Sequence, residues 1–174
     1  MEIIKVNQND GKLIDFAGDG IVVPCDVDLT YRKVSDVVRD LYVNAGNRLW
    51  EELADIGYVE IGHVVMTQGY NLKAKHLIFL PYTDREDKAR RMNYILLHQA
   101  IRSTLSLASL YGLRTLAIPI IPKVLSKKRN LITLAVSKVF NTDDEDQTTE
   151  AENIIEGIVK SFKSESLKEV FLYF

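Results

Sequence analysis

Residues 92–121 read MNYILLHQAIRSTLSLASLYGLRTLAIPII, and they give the clearest indication of the fold class. Its first part repeats apolar residues at helical spacing, and Gly112 stands where a glycine commonly ends a helix. The residues that follow, LRTLAIPII, are too few and too β-branched for a second helix, so they predict a buried strand. A long helix that leads directly into a buried strand is typical of α/β proteins with a parallel sheet.

The same alternation continues in both directions along the chain. Short β-branched or aromatic runs predict strands at Ile3–Val6, Gly20–Val23, Gly62–Gln68, His76–Leu80, Thr115–Ile120 and Glu169–Phe174. Longer amphipathic runs predict helices at Val34–Ala45, Asn47–Ile56, Met92–Tyr111, Lys128–Phe140 and Thr149–Lys163. We therefore expect one three-layer α/β/α domain over residues 1–174, with a mixed, largely parallel central sheet. The charged stretches 83–91 and 141–150 are expected to be solvated loops.

Composition narrows the class of protein. The chain has 174 residues, of which 47% are hydrophobic, and this suits a single soluble domain with one core. Its 22 Lys and Arg against 24 Asp and Glu give a net charge of −2, which disfavours nucleic acid as a partner. The sequence shows neither a signal peptide nor a membrane-spanning run, so we expect a cytoplasmic protein.

Cysteine and histidine usage argues against two further kinds of site. The single Cys25 excludes an internal disulfide framework, and without a nucleophile motif around it a buried core thiol is expected. The three histidines are too scattered to suggest a metal site. We therefore expect neither a metal nor a cofactor.

Three segments together resemble the macro domain, an α/β module that binds ADP-ribose. The segment HVVMTQGYNLKAKHLIF (63–79) resembles the family's strand, Gly-Tyr-Asn-Leu turn and following strand, with the turn at Gly69–Leu72. The segment LHQAIRSTLSLASLYGLRTLAIPII (97–121) is similar to the family's long helix and the strand after it. The segment GKLIDFAGDGIVVPCD (11–26) matches the family's opening without gaps. The resemblance implies a macro-like fold with the ligand at the carboxyl ends of the strands.

Three positions of the implied ligand site carry side chains that differ from the family pattern or keep it only in part. Lys12 occupies the position of a carboxylate that accepts a hydrogen bond from the adenine amine, and a lysine has only donors. Asp26 replaces the second Asn of the family's Asn-Ala-Ala-Asn segment and can still accept from ribose hydroxyls; a turn-forming role is the alternative. Tyr173 lies near the position of an aromatic that stacks on adenine, with packing in the core as the alternative.

The two loops that hold the diphosphate in the family are rich in glycine, because only glycine lets the backbone approach so closely. Here the corresponding stretches, TYRKVSDVV (30–38) and PKVLSKKRN (122–130), contain no glycine. Basic and hydroxyl side chains can take over this role, and the candidates are Arg32, Lys33, Lys123 and Ser126; ordinary solvated loop residues are the alternative. An inserted helical and acidic segment follows at about 124–149.

Three functions remain open from these residues. The preferred one is a module that binds a nucleotide-derived or other small anionic ligand, such as ADP-ribose, without catalysis. The first alternative is a structural or protein-interaction module that has lost the pocket, and it includes a homo-oligomer formed through residues 128–140. The second is an ADP-ribosyl hydrolase, although the missing Asn and Gly residues leave its catalysis unsupported and no catalytic residue is assigned.

Overall fold

The computed structural model describes residues 1–7, 10–30, 36–83, 94–120 and 143–174. Within these ranges six strands form one sheet: β1 (Glu2–Val6), β2 (Gly20–Asp26), β3 (Val65–Gln68), β4 (His76–Thr83), β5 (Thr115–Pro119) and β6 (Glu169–Tyr173). The helices of the described ranges are α1 (Asp36–Ala45), α2 (Asn47–Ile56), α3 (Tyr94–Leu110) and α4 (Asp143–Ser161). A short 3-10 turn spans Leu13–Asp15. None of the helices in these ranges has the length and apolar character needed to cross a membrane.

The sheet has the strand order β1-β6-β5-β2-β4-β3. All neighbouring strands are parallel except β3 and β4, which are antiparallel. The expectation of a mixed, largely parallel sheet is therefore confirmed. Because five strands run in the same direction, their carboxyl ends meet at one edge of the sheet, the place where open α/β sheets bind ligands.

Helices cover both faces of the sheet and complete the three layers. One face packs against α1 and α2 through a cluster that contains Ile21, Val23, Cys25, Leu77 and Phe79 of the strands. The other face packs against α3 and α4 through a cluster that contains Val22, Ile78, Leu80, Leu116 and Val170. All seven residues of β2 are buried, as expected for a strand that is covered on both faces.

The Gly-Tyr-Asn-Leu turn joins β3 to β4 and contacts the helices α1 and α2 where they meet. The Gly69 amide donates to the Lys75 carbonyl at 2.7 Å, and a Cβ at Gly69 would lie 1.9 Å from the Ala74 carbonyl oxygen. The Tyr70 hydroxyl donates to the Glu52 carboxylate on α2. This motif is a packing element, because its contacts connect the turn to the helices next to it.

The structure changes several expected boundaries. The acidic stretch 141–150, expected to be a solvated loop, is helical from Asp143 onward and opens α4, which was predicted to begin at Thr149. Acidic residues are favoured in the first turns of a helix, where they interact with the positive end of the helix dipole, so this stretch suits a helix start. The strands β2 and β4 extend three residues beyond their predicted ends, and β3 begins at Val65 rather than Gly62. The predicted helix Lys128–Phe140 and the charged stretch from residue 84 to 91 lie outside the described residues.

Candidate functional site

The candidate site lies at the carboxyl edge of the sheet. Here β6 ends at Tyr173, β5 at Pro119, and β2 at Asp26, in this order across the sheet. β2 and β5 pair only at Gly20 and Ile21, near their amino ends, whereas β5 and β6 pair along their whole length. The carboxyl ends of β2 and β5 are therefore not joined by backbone hydrogen bonds, and Asp26 and Tyr173 lie on the two sides of this unpaired part of the sheet.

Directly after β2 the chain makes a tight turn, residues 26–30, which we call the site turn. The Leu29 amide donates to the Asp26 carbonyl at 2.8 Å, and the Asp26 amide donates to the Thr30 carbonyl at 3.0 Å. The Thr30 hydroxyl donates to the Asp28 carboxylate at 3.0 Å. Leu29 has φ of 58°, a left-handed conformation that is costly for a leucine. The turn therefore has a defined shape that holds two carboxylates at the sheet edge.

The two carboxylates of the site turn differ in exposure. Asp26 is only 2% exposed, whereas Asp28 is exposed to solvent. Withdrawing a carboxylate from water is expensive, and such groups concentrate where a protein uses their charge. Asp26 can accept hydrogen bonds from ligand hydroxyls, and Asp28 lies on the solvent side of the same turn.

A bulge in β4 brings Tyr82 close to Asp26. Cys25 pairs with Pro81 and Asp26 pairs with Thr83, so Tyr82 is the extra residue between them. Burial, together with the negative charges of Asp26 and Cys25, raises the pKa of Tyr82 to about 12. Bulges often re-aim a side chain next to a site, and this one places Tyr82 on the strand next to Asp26, near enough for the charge of Asp26 to act on its hydroxyl.

Cys25 and Tyr42 lie under the site turn on the side of α1 and α2. The Tyr42 hydroxyl donates to the Leu29 carbonyl at 2.9 Å in a buried environment. Complete burial, followed by the charges of Asp26 and Asp28, raises the pKa of the Cys25 thiol well above its usual value. The expectation of a buried core thiol is confirmed, and Cys25 is a poor nucleophile because the thiolate is the reactive form.

A second corner of the edge holds Lys12 and Tyr173. Lys12 is exposed and directly precedes the 3-10 turn, in which Asp15 binds Lys73 at 2.9 Å. The hydrogen bond and charge of Lys73, with a smaller contribution from Lys12, lower the pKa of Asp15. Burial and then the charge of Asp15 raise the pKa of Tyr173, so these groups lie near one another.

Tyr173 itself is half-buried and belongs to an aromatic cluster. Its ring lies edge-on to Phe16, with the centroids 6.4 Å apart, and Phe16 also contacts Phe171 at 5.3 Å. Packing against the core, the alternative raised for this residue, accounts for part of its surface, and the remainder stays accessible at the sheet edge.

The other predicted site residues, Arg32, Lys33, Lys123 and Ser126, lie outside the described residues. Conversely, the prediction from sequence missed Tyr42 and Tyr82, which surround Asp26. Both tyrosines occupy positions in apolar patterns that indicate core packing, Tyr42 in α1 and Tyr82 after the run LIFLP. The available signal was their hydroxyl group, because a buried tyrosine hydroxyl usually needs a hydrogen-bond partner.

Comparison with known proteins identifies relatives of this fold. A model of the macro domain family matches residues 30–127. The macro domain of ganglioside induced differentiation associated protein 2 superposes with a TM-score of 0.67 at 20% identity, covering 99% of this chain and 76% of that one.

Several of the similar structures are complexes with ADP or ADP-ribose, and two of them illustrate the likeness. The Trypanosoma brucei macrodomain in complex with ADP-ribose has a TM-score of 0.66 at 19% identity, and the match covers 99% of this chain and 64% of that one. The Oceanobacillus iheyensis macrodomain with ADP has a TM-score of 0.66 at 16% identity, covering 94% and 80%. At these identities the structural likeness shows the fold alone. A search of curated protein sequences finds no match.

Proposed function

Because the chain belongs to the macro domain family, we propose that it binds ADP-ribose or a related nucleotide-derived anion at the carboxyl edge of its sheet, without catalysing a reaction. The observation that carries this proposal is the buried carboxylate of Asp26 at the end of the central strand β2. It stands in a turn with a defined shape, beside a buried tyrosine hydroxyl. In the proposed complex Asp26 accepts hydrogen bonds from ribose hydroxyls.

The distribution of charge along the sequence supports an anionic ligand. The two stretches that correspond to the diphosphate loops of the family, residues 30–38 and 122–130, contain 6 of the chain's 22 basic residues and 1 of its 24 acidic ones. The basic residues are Arg32, Lys33, Lys123, Lys127, Lys128 and Arg129. A nearly neutral chain thus has an excess of cations in the two stretches that are proposed to bind the phosphates.

Within this excess of positive charge, we assign the phosphate contacts to Arg32, Lys33, Lys123 and Ser126. Charged and hydroxyl donors can hold a diphosphate without the close backbone approach that glycine allows. At the other end of the ligand, Tyr173 offers an exposed part of its ring for stacking and Lys12 offers a donor to the base. The carboxyl ends of β2 and β5 are not paired with each other, and in the proposed complex the ligand spans this gap between Asp26 and Tyr173.

A binding role is favoured over hydrolysis because the chain lacks the Asn and Gly residues of the family pattern, on which alignment of the ribose for hydrolysis would depend. Cys25 is a buried free thiol, which is compatible with a reducing compartment, and we propose a cytoplasmic location. Nucleic acid is not proposed as a partner, since the net charge of the whole chain is −2.

Isothermal titration calorimetry with ADP-ribose, ADP and a short oligonucleotide tests the proposal. We expect binding of ADP-ribose or ADP, and we expect Asp26→Ala and the double variant Arg32→Ala with Lys33→Ala to weaken it at least tenfold. The control is Lys160→Ala, which removes one exposed lysine that is paired with Glu156 on α4. Absence of heat for both ADP-ribose and ADP, or binding of the oligonucleotide alone, would contradict the proposal.

A second assay separates binding from catalysis. The chain is incubated with an ADP-ribosylated protein, and release of ADP-ribose is followed by mass spectrometry. We expect no release above that of the buffer. Release that disappears in Asp26→Ala would instead show a hydrolase, and would turn the same site into an active site.

A further inference from the structure

We propose that the Tyr42 hydroxyl is the positioning group for the site turn, holding the backbone that carries Asp26 and Asp28 in one shape. The consequence for ligand affinity rests on the proposed function, whereas the effect on the turn does not. Tyr42 lies on α1, which is outside the turn, so its side chain reaches the turn from the helix that packs on this face of the sheet.

The tyrosine ring is fixed by its surroundings. Tyr42 is 0% exposed, and its ring lies 5.2 Å from the Trp50 ring and 5.7 Å from the Phe79 ring, between centroids. A side chain enclosed in this way loses no further rotational freedom when its hydroxyl makes a hydrogen bond. The donor is therefore in place before any ligand arrives.

The hydroxyl acts at the most strained residue of the turn. It donates to the carbonyl of Leu29 at 2.9 Å, and Leu29 is the residue with φ of 58°. A left-handed leucine costs roughly 1–2 kcal/mol and persists only when its surroundings enforce it. Because residues 26–30 contain no glycine, we infer that a tyrosine hydrogen bond and the buried Leu29 side chain provide the constraint.

Electrostatics keep this donor protonated. Burial, and then the charges of Cys25, Asp26 and Asp28, raise the pKa of Tyr42 above the usual value for tyrosine. Around neutral pH the hydroxyl therefore always carries its proton, and the hydrogen bond to Leu29 is available. A second hydrogen bond holds the turn from the segment after α2, where the Val59 amide donates to the Val27 carbonyl at 2.8 Å.

Amide hydrogen exchange, read by nuclear magnetic resonance, tests the effect on the turn. Tyr42→Phe removes the hydroxyl and leaves the packed ring, so the fold should persist. We expect exchange of the Leu29 amide, which donates to the Asp26 carbonyl, to become about tenfold faster. The matched control is Thr104→Val, which removes another buried hydroxyl, bonded at 2.8 Å to the Ala100 carbonyl within α3.

The control distinguishes a local effect from general loosening. Unchanged exchange at Leu29 in Tyr42→Phe would overturn the proposal, and so would an equal acceleration in Thr104→Val. In the ligand arm, ADP-ribose should bind Tyr42→Phe about tenfold more weakly and Thr104→Val as tightly as the unaltered chain. Equal affinity of all three proteins would overturn the link to the site. If the unaltered chain binds none of the nucleotides, the proposed function fails, while the exchange data still decide the role of Tyr42.

Discussion

At the scale of single residues, the pair formed by Asp26 and Tyr82 is open to direct measurement. Burial and the neighbouring negative charges raise the pKa of Tyr82 to about 12, and among those charges Asp26 has the larger effect. Asp26→Asn removes the charge and keeps the shape of the side chain. We expect it to lower the pKa of Tyr82 part of the way toward 10, measured by ultraviolet absorbance of tyrosinate, with Tyr82→Phe identifying the signal. An unchanged titration would show that Asp26 does not act on Tyr82.

The raised pKa of Tyr82 also makes the free energy of unfolding depend on pH in the alkaline range. Its pKa is about 12 in the folded chain against 10 when unfolded, so its contribution is fully present below pH 10 and is lost as the pH rises toward 12. A difference of two pKa units corresponds to about 3 kcal/mol. Urea unfolding across this range should show a smaller loss in Tyr82→Phe than in the unaltered chain. Identical losses would contradict the prediction.

Cys25 should be chemically silent in the folded protein. Burial raises the pKa of its thiol, and the thiolate is the form that reacts with alkylating agents. We expect iodoacetamide to leave the native chain unmodified at mildly alkaline pH and to add one label once urea unfolds it, as read by mass spectrometry. Stoichiometric labelling of the native chain would reveal an accessible thiol and revive the idea of a nucleophile.

At the scale of secondary-structure elements, Asp19 ties three strands together at the amino edge of the sheet, opposite the site. Its carboxylate accepts from the backbone amides of Arg114 and Thr115 at 2.8 and 3.2 Å, and it pairs with Lys75 at 2.6 Å. Partial burial opposes the charge, but the bonds from Lys75, Arg114 and Thr115 outweigh it, so the pKa of Asp19 is lowered. This residue therefore connects the starts of β2, β4 and β5.

We expect Asp19→Asn to lower the free energy of unfolding by about 1.5–3 kcal/mol near neutral pH, because hydrogen bonds to a charged group are lost. A carboxyl with a lowered pKa stabilises the fold above its unfolded value of 3.8, and this contribution is lost as the pH falls below it. Urea titrations should therefore show the gap between the two proteins closing in acid. A gap that is independent of pH would assign the effect to shape rather than charge.

The turn between β3 and β4 offers a matched pair of glycine substitutions. A Cβ at Gly69 would lie 1.9 Å from the backbone oxygen of Ala74, whereas at Gly157 in α4 it would meet nothing within 4 Å. We expect Gly69→Ala to destabilise the chain by about 1–3 kcal/mol through this overlap. Gly157→Ala should stabilise it by roughly 0.5–1 kcal/mol, since alanine favours a helix. Thermal unfolding checks both, and equal effects would contradict the assignment of the turn.

The elements that could be predicted from the sequence are those whose apolar pattern is local. Helix α2 matches its prediction at both ends because Gly57 follows its amphipathic run. The predictions were wrong where contacts distant in the sequence set the end of an element, or where one composition fits two kinds of structure. The carboxyl end of β2 was placed too early because its pairing with β4 continues through a bulge, and the acidic start of α4 has the composition of a loop as well as of a helix N-terminus.

At the scale of the whole molecule, the candidate site was predictable only in part. Asp26 could be located because the end of a buried parallel strand is a ligand position in this class of fold. The site turn and its contact with Tyr42 could not, because they depend on the distance between α1 and β2 in the folded chain.

The strand order further predicts that the carboxyl-terminal strand contributes more to the stability of the fold than the amino-terminal strand. β6 lies between β1 and β5, pairs with both along five residues, and buries Val170 and Leu172 completely. β1 is an edge strand in which none of the five residues is fully buried. Deleting residues 169–174 removes an interior strand and leaves β1 without its neighbour, so we expect the cooperative thermal transition to disappear.

Deleting residues 1–6 is the matched control, because it removes a strand of the same length from the edge. The deletion removes the pairing with β6, the ion pairs of Lys5 with Glu152 and Glu156, and the packing of Ile3 on the core, while the sheet from β6 to β3 keeps its order. We expect this variant to unfold cooperatively at a lower temperature, as followed by circular dichroism. Two outcomes would contradict the prediction: an equal fall of the unfolding temperature in both deletions, or a cooperative transition that persists without residues 169–174. Either would show that the interior position of β6 does not determine the stability of the sheet. The packing of the sheet against α3 and α4 would then have to be independent of β1.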